Sequence, residues 1–243
     1  MKNTTSAFIF AAAIIISAIL ISNAYRDKTN TKPVITVTGL GEKDFASDLI
    51  VWEGSFSKEN VELKQAYAEL EKDKKVIEDY LKSNGINAKD VVFKAVQTTR
   101  KSKKKFSNEG TVIGEEFTGY ALSESIHISS TEVEKVENLS RKITELLNMG
   151  IQFYSDPPRY YYTKLSDLKI ELVSLATEDA RLRAEKIAEK SKARLGNLAD
   201  AQMGIVQITG QHSDEEYSWG GTFNTSSKLK RASITMKLTY KIR

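Results

Sequence analysis

The order in which two hydrophobic periods alternate along the chain limits the folds that it can adopt. Stretches of period two, typical of strands that bury one face, occur mostly in neighbouring pairs, and stretches with a period near 3.6, typical of amphipathic helices, separate them. The predicted strands are 35–41, 48–56, 91–99, 116–129, 151–162, 203–209 and 232–242, and the predicted helices begin near residues 60, 131 and 166. Strand pairs separated by single helices favour an α+β fold with a mostly antiparallel sheet and three helices, one of them long.

Within these elements, the apolar side chains separate onto one face. The clearest faces are those of Ile50, Trp52, Gly54 and Phe56 in one strand and of Tyr120, Leu122, Ile126 and Ile128 in another. The longest helix carries alanine at every fourth position from 176 to 188, and we interpret this row as packing against the chain's own sheet in preference to a subunit contact.

Further residue pairs and single positions predict where elements begin and end. Asn60 is expected to cap the first of the three helices, with Gly85 at its end, and Gly196 is expected to close the longest helix after about Arg194. Thr131 and Glu134 have the spacing of a capping box. Gly39 and Gly41 are expected to form a hairpin turn that ends the first strand.

The first 24 residues differ in kind from the rest. Residues 7–21 are apolar apart from Ser17, Lys2 precedes them, and Ser22 and Ala24 supply small residues at the −3 and −1 positions of a cleavage site. The apolar segment also reaches the roughly 18 residues of a membrane span, so removal and retention as an anchor both stay open. We therefore predict a signal peptide or membrane anchor over 1–24, a linker over 25–32, and one domain over 33–243 behind the hydrophobic helix.

Composition excludes several classes of function. The chain has no cysteine, which excludes disulfides, thiolate metal sites, a thiol nucleophile and a lipid-modified N-terminal cysteine. Its net charge of +4 is small beside a charged fraction of 28%, so it indicates solubility and gives no support for a nucleic-acid partner.

Several separated motifs together carry a family resemblance. They are segment 35–41, Leu81 with Gly85-Ile86, Gly119-Tyr120, segment 156–165, Ala176, Asp179, Ala180, Arg181 and Ala184 on the long helix, and Leu195-Gly196 after it. Over residues 33–243 the chain resembles the SIMPL-domain proteins of the bacterial periplasm and outer membrane. Segment 162–165, with Gln202 and Gly204, resembles the subgroup that is anchored in the inner membrane.

This resemblance implies an α+β domain that assembles into higher oligomers. It also implies a role in tolerance of envelope or oxidative stress, with no established catalytic residues. One departure is visible, because many members carry a Pro-Asp pair where this chain has Ser47-Asp48. The shape of that turn is therefore left open.

No catalytic or cofactor-binding constellation emerges from the sequence. His127 and His212 are the only histidines and lack the spacing of a metal site. The motifs of serine hydrolases, zinc proteases and phosphate-binding loops are missing, and Gly39 with Gly41 lacks the third glycine of a nucleotide loop. We predict a protein that is not an enzyme and that holds no cofactor or metal.

Three segments are candidates for an interaction surface instead. Segment 100–105, with Lys103, Lys104 and Lys105, is either a solvated hairpin tip or a contact for anionic lipid or an acidic partner. Tyr160, Tyr161 and Tyr162 follow two prolines and suit either an interface or an ordinary edge strand with one buried tyrosine. Trp219 and Phe223 lie in a polar loop of about 20 residues, a length typical of functional or mobile loops.

The expected function is that of an exported module of the periplasm or cell envelope. Such a protein would form homo-oligomers, bind an envelope protein, and contact the membrane through its N-terminal segment. Two alternatives stay open: a periplasmic protein that binds a small ligand, for which the tyrosine segment would form the site, and a metal-binding protein whose antioxidant role is indirect.

Overall fold

The computed structural model describes residues 2–29 and 33–243, and these contain four α-helices. They are α1 (Lys2–Thr29), α2 (Leu63–Ser83), α3 (Val133–Lys142) and α4 (Leu165–Lys190). Two 3-10 helices, Ala88–Asp90 and Ile143–Met149, were not predicted from the sequence. The second of them continues α3 to Gly150, whose φ of 78° is the left-handed conformation that ends many helices.

Helix α1 contains the hydrophobic segment. The side chains of Phe8 and of residues 10–23 are exposed. Among the residues that the structure describes, no helix combines the length and the apolar character needed to cross a membrane. Residues 30–32 of the predicted linker lie outside the described residues, and the division into segment, linker and domain stays a prediction.

The strands form two sheets. They are β1 (Val34–Ala46), β2 (Leu49–Asn60), β3 (Val91–Phe93), β4 (Gln97–Phe106), β5 (Val112–Ser130), β6 (Phe153–Ser155), β7 (Arg159–Tyr161), β8 (Leu195–Met203), β9 (Gln207–Gly210) and β10 (Leu229–Ile242). One sheet has the order β1-β10-β8 with β9 also on β10, and the other has the order β3-β5-β2-β6 with β4 on β5 and β7 on β2. Strand β2 pairs with β5, β6 and β7, strand β5 also pairs with β3 and β4, and strand β10 pairs with β8 and β9. All these pairings are antiparallel, which agrees with the predicted class.

The chain divides into two compact units. One contains Met1–Gly41, Val173–Gly204 and Ile234–Arg243, and we call it unit 1. The other, unit 2, contains Glu42–Leu172 and Ile205–Ser233.

The main core lies in unit 2, where α2 and α3 contact β2 and β5. The predicted faces are confirmed: Ile50, Trp52 and Phe56 on β2 and Leu122, Ile126 and Ile128 on β5 are fully buried. Burying a large apolar side chain contributes about 1.5–3 kcal/mol, so this face accounts for much of the stability of unit 2.

Two ion pairs interrupt the apolar packing in unit 2. Lys74 Nζ of α2 donates to Glu124 Oε1 at 2.8 Å, and Lys58 Nζ of β2 lies 2.9 Å from Asp73 Oδ2. Glu124 lies at an even position of β5, between Leu122 and Ile126, and is only 2% exposed. The core face of β5 therefore includes a buried carboxylate that the hydrophobic pattern alone did not single out.

In unit 1 the alanine row of α4 packs within the chain. Ala176, Ala180 and Ala184 are fully buried. A Cβ added to Gly39 of β1 would lie 2.1 Å from Ala176 O and 2.4 Å from Ala180 N. The backbone of β1 thus contacts the backbone of α4, which requires both the glycine and the small side chains.

The predicted turn at Gly39 and Gly41 is therefore wrong. Strand β1 continues through both glycines to Ala46, and the chain reverses at Ser47 and Asp48. Asp48 stabilises this turn, because its carboxylate accepts hydrogen bonds from Thr163 N and Thr163 Oγ1, both at 2.7 Å.

Three predicted helix boundaries also need correction. Asn60 is the last residue of β2, and Glu62 is the N-cap of α2. The Thr131–Glu134 capping box does not form, because α3 starts at Val133 after Glu132, whose N–H is bound by Ser130 Oγ. Helix α4 ends at Lys190, and Gly196 belongs to β8.

Strand β8 and most of β4 were missed. Residues 195–202 were not predicted as a strand, and they pair with β10 at the edge of the sheet. Residues 100–105 were predicted as a polar tip and instead form the outer half of β4.

Candidate interaction surface

The β4–β5 hairpin forms an exposed two-stranded arm, which we define as residues 97–119. Every side chain from 97 to 118 except Ser107 is exposed. Cross-strand pairs hold the arm together, with Lys103 opposite Glu116 and Lys104 opposite Glu115. Lys105 also forms an ion pair with Glu116 at 3.6 Å.

Apolar and cationic side chains mix on this arm. Phe106, Val112, Ile113 and Phe117 are exposed large apolar residues. Arg100 lies over the Phe117 ring, 5.1 Å from its centroid, and Phe117 packs edge-on against Tyr120 at 5.2 Å. The arm contains five cations and three carboxylates, so it remains cationic after its internal pairing.

The loop 211–228 between β9 and β10 presents Trp219 to solvent with 97% of its surface exposed. Tyr217 and Phe223, close to it in the sequence, are exposed as well. Asp214, Glu215 and Glu216 precede the aromatic residues, and the stretch 211–223 has no lysine or arginine. The loop is thus an acidic segment with an exposed indole.

Buried polar side chains fix the conformation of this loop. The Gln207 amide donates to Ser218 O at 2.9 Å and accepts from Thr222 N at 2.7 Å. Asn224 accepts from Ser227 N at 2.8 Å, and its amide nitrogen bonds Glu215 Oε1. Trp219 is therefore carried on a segment that is bonded at both ends, which lowers the entropy lost when it binds a partner.

Lys230 lies at the centre of this polar cluster and is 1% exposed. Its Nζ donates to Asn224 O at 2.7 Å and to Asn224 Oδ1 at 3.2 Å. Burial lowers the pKa of Lys230 to about 8, because an ammonium loses hydration inside the protein. Gln207, Asn224 and Lys230 were missed by the sequence analysis, since nothing in their neighbourhood marks them as buried.

We expect Lys230 to make stability rise with pH above about 8. The folded chain has then lost a proton that the unfolded chain, with a lysine pKa of 10.5, still binds. Linkage therefore predicts that the wild type gains about 2 kcal/mol relative to Lys230→Met between pH 7.5 and 10, as measured by urea unfolding of both proteins. The difference between the two proteins cancels the other titrating lysines and tyrosines, and parallel pH profiles would contradict the assignment.

The tyrosine segment forms an edge strand with one buried tyrosine, which is one of the two structures predicted for it. Strand β7 pairs with β2, and Tyr160 is buried with its hydroxyl donating to Glu137 Oε1 at 3.1 Å. Lys228 donates to the same carboxylate and holds the pKa of Glu137 below its usual value. Tyr160 is thus a packing residue, whereas Tyr161 and Tyr162 are half-buried, and Tyr162 packs on Phe45 at 4.7 Å.

The predicted surface residues lie in three different places. Lys103, Lys104 and Lys105 belong to the arm, and Trp219 and Phe223 belong to the loop. The tyrosine segment meets the loop through one backbone bond, from Tyr160 N to Thr225 O at 2.7 Å.

His127 lies on β5 beyond the arm, and His212 lies at the start of the loop 211–228. His127 Nδ1 lies 2.9 Å from Glu53 Oε1 in a cross-strand pair, and Lys94 donates to the same oxygen. His212 follows β9 with a φ of 59°. Within residues 2–29 and 33–243, no group of three or more His, Cys, Asp or Glu side chains is arranged to hold a metal ion.

Comparison with known proteins places the chain in a family. The model of the SIMPL family, described as a protein of unknown function (DUF541), matches residues 35–237. No curated protein matches the chain. The match includes part or all of every strand of both β-sheets and confirms the resemblance carried by the motifs. The chain therefore belongs to the SIMPL family.

Proposed function

We propose that this protein is an exported envelope protein that acts without catalysis, by binding further copies of itself and an envelope partner. The observation that carries the proposal is Trp219, which is 97% exposed on a loop held by buried hydrogen bonds. Tryptophan is enriched among residues that dominate binding energy, and a soluble protein gains no stability from exposing one so fully.

The arm supports the same proposal. An isolated two-stranded hairpin is marginally stable in water, and this one leaves apolar residues on its surface. A partner that covers the arm would bury this area. Export is supported separately by the apolar segment 7–24, which follows Lys2 and ends in Ala24.

We expect the full-length gene product to reach the envelope fraction of a bacterial cell and to assemble there. Fractionation, sequencing of the mature N-terminus, and light scattering on the purified protein measure location, cleavage and mass. A new N-terminus after Ala24 identifies a removed signal, and an intact N-terminus in the membrane fraction identifies an anchor. A full-length monomer in the cytosol that turns over a substrate would contradict the proposal.

A further inference from the structure

An open groove of about 520 Å³ lies at the base of the arm. It is lined by Leu63, Lys64, Tyr67, Val96, Thr98 and Leu122. Leu63 and Tyr67, from the first turns of α2, are exposed large apolar residues, and Leu122 is the buried floor. The groove is thus apolar, and Lys64 adds a cation to its lining.

The arm extends this surface. On β4, Thr98 and Arg100 lie opposite Leu122 and Tyr120 of β5, so Arg100 continues the face of the sheet that lines the groove. Phe117 packs against both Arg100 and Tyr120 and lies on that face as well. An apolar groove with a cationic and aromatic border suits an aromatic side chain flanked by carboxylates.

The loop 211–228 supplies such a group. Trp219 projects fully into solvent, and Asp214 and Glu216 are exposed on the same loop. Indole is the best partner of lysine and arginine in cation–π contacts. The acidic loop and the cationic arm also attract each other, whereas two arms with five cations each repel.

We propose that the Trp219 loop of one copy inserts into the groove at the base of the arm of a second copy. This inference rests on the proposed self-association and names the surfaces that form it. The two surfaces are different parts of the chain, so the contact is heterologous and leaves one loop and one groove free at the ends of any open assembly. Repetition of the contact therefore produces a ring or a filament.

Variants that damage one surface at a time test the contact in the full chain. Trp219→Ala should raise the dissociation constant of self-association by about 30-fold or more, the effect of truncating a dominant interface residue. Tyr67→Glu combined with Lys104→Glu should do the same from the groove side. Tyr154→Ala, which removes another exposed aromatic residue, is the matched control and should leave assembly unchanged. All these positions are exposed, and circular dichroism melting curves verify that each variant folds.

Mixing the two defective variants is the decisive experiment. Each retains one intact surface, so a heterologous contact predicts a 1:1 dimer from the mixture and no larger species, measured by analytical ultracentrifugation in mild detergent. If the two variants do not combine, or if Trp219→Ala assembles like the wild type, the proposed contact is wrong while self-association stands. If the wild type is itself monomeric at high concentration, the proposed function fails together with the contact.

Zero-length cross-linking provides an independent measurement. In a mixture of isotopically labelled and unlabelled wild-type chains, we expect mixed-label cross-links between Lys103 or Lys104 and Asp214 or Glu216. If the mixed-label cross-links form only between the arm of one copy and the arm of another, the proposal is wrong. Loss of binding to anionic vesicles by Lys104→Glu, with assembly unchanged, would instead identify the arm as a lipid contact.

Discussion

Replacing Gly39 with valine is expected to destabilise the protein by at least about 3 kcal/mol. The first added carbon alone would lie 2.1 Å from Ala176 O and 2.7 Å from Ala180 Cβ. These atoms belong to the backbone and the shortest side chains of a long helix, so no flexible group can move aside. Unit 1 has to separate β1 from α4, which exposes the alanine row to water.

Gly220→Val is the matched control for this substitution. A Cβ at Gly220 would meet only Ser218 Oγ, at 3.9 Å, and neither glycine has a positive φ. We expect the control to change the free energy of unfolding by about 0.5 kcal/mol or less. Urea unfolding of both variants gives the comparison, and equal losses of stability would show that the contact between Gly39 and α4 is unimportant.

Replacing Lys74 with methionine should cost about 3–5 kcal/mol, because it leaves the Glu124 carboxylate buried without its cation. The hydrogen bond between the two residues raises the pKa of Lys74. Within the described residues, Glu124 Oε2 has no hydrogen-bond partner, so the 2.8 Å bond to Oε1 is the main compensation for the lost hydration.

Two further proteins decide whether this cost arises from the orphaned charge. Lys74→Met with Glu124→Leu removes both charges and should recover most of the lost stability, since apolar replacement of a buried pair is often neutral. Lys101→Met breaks the exposed pair with Glu59 and should cost about 1 kcal/mol or less. A double variant as unstable as Lys74→Met would mean that the packing of the lysine chain, and not its charge, is what matters.

The core was predictable from the sequence because alternation directly reports which side chains share a face. Trp52 on β2 and Ile126 on β5 are buried as their period requires. Glu124 lies at an even-numbered position of β5, as Ile126 does, so the sequence did contain a signal for the buried carboxylate. A search for periodic apolar residues does not detect a charged residue, even when its position fits the period.

Glycine and lysine residues predicted the structure less well than the apolar residues did. Gly39 is compatible with a turn or with close packing of a helix, and only the position of α4 distinguishes the two. Segment 100–105 has no apolar alternation, and its strand depends on cross-strand partners such as Glu115 and Glu116. Lys230 stands between Leu229 and Arg231, and its burial is decided by the loop that folds over it.

Among the surface candidates, exposure could be predicted for Trp219 and for Lys103. Consecutive tyrosines on a strand alternate between the two faces of the sheet, so the burial of one tyrosine was foreseeable, but the sequence did not identify it as Tyr160. The groove beside Tyr67 could not be foreseen, because it is formed by α2 and β4, which are distant in sequence.

The pairing of β1 with β10 has a consequence for how the protein is made. The first strand has no neighbour in its sheet until the last strand has been synthesised, some 190 residues later. Closing so long a loop is slow, and the unpaired edge of β1 is open to wrong partners in the meantime. Segments of unit 2 can therefore fold early, whereas the sheet that contains β1 cannot form completely until β10 has been synthesised.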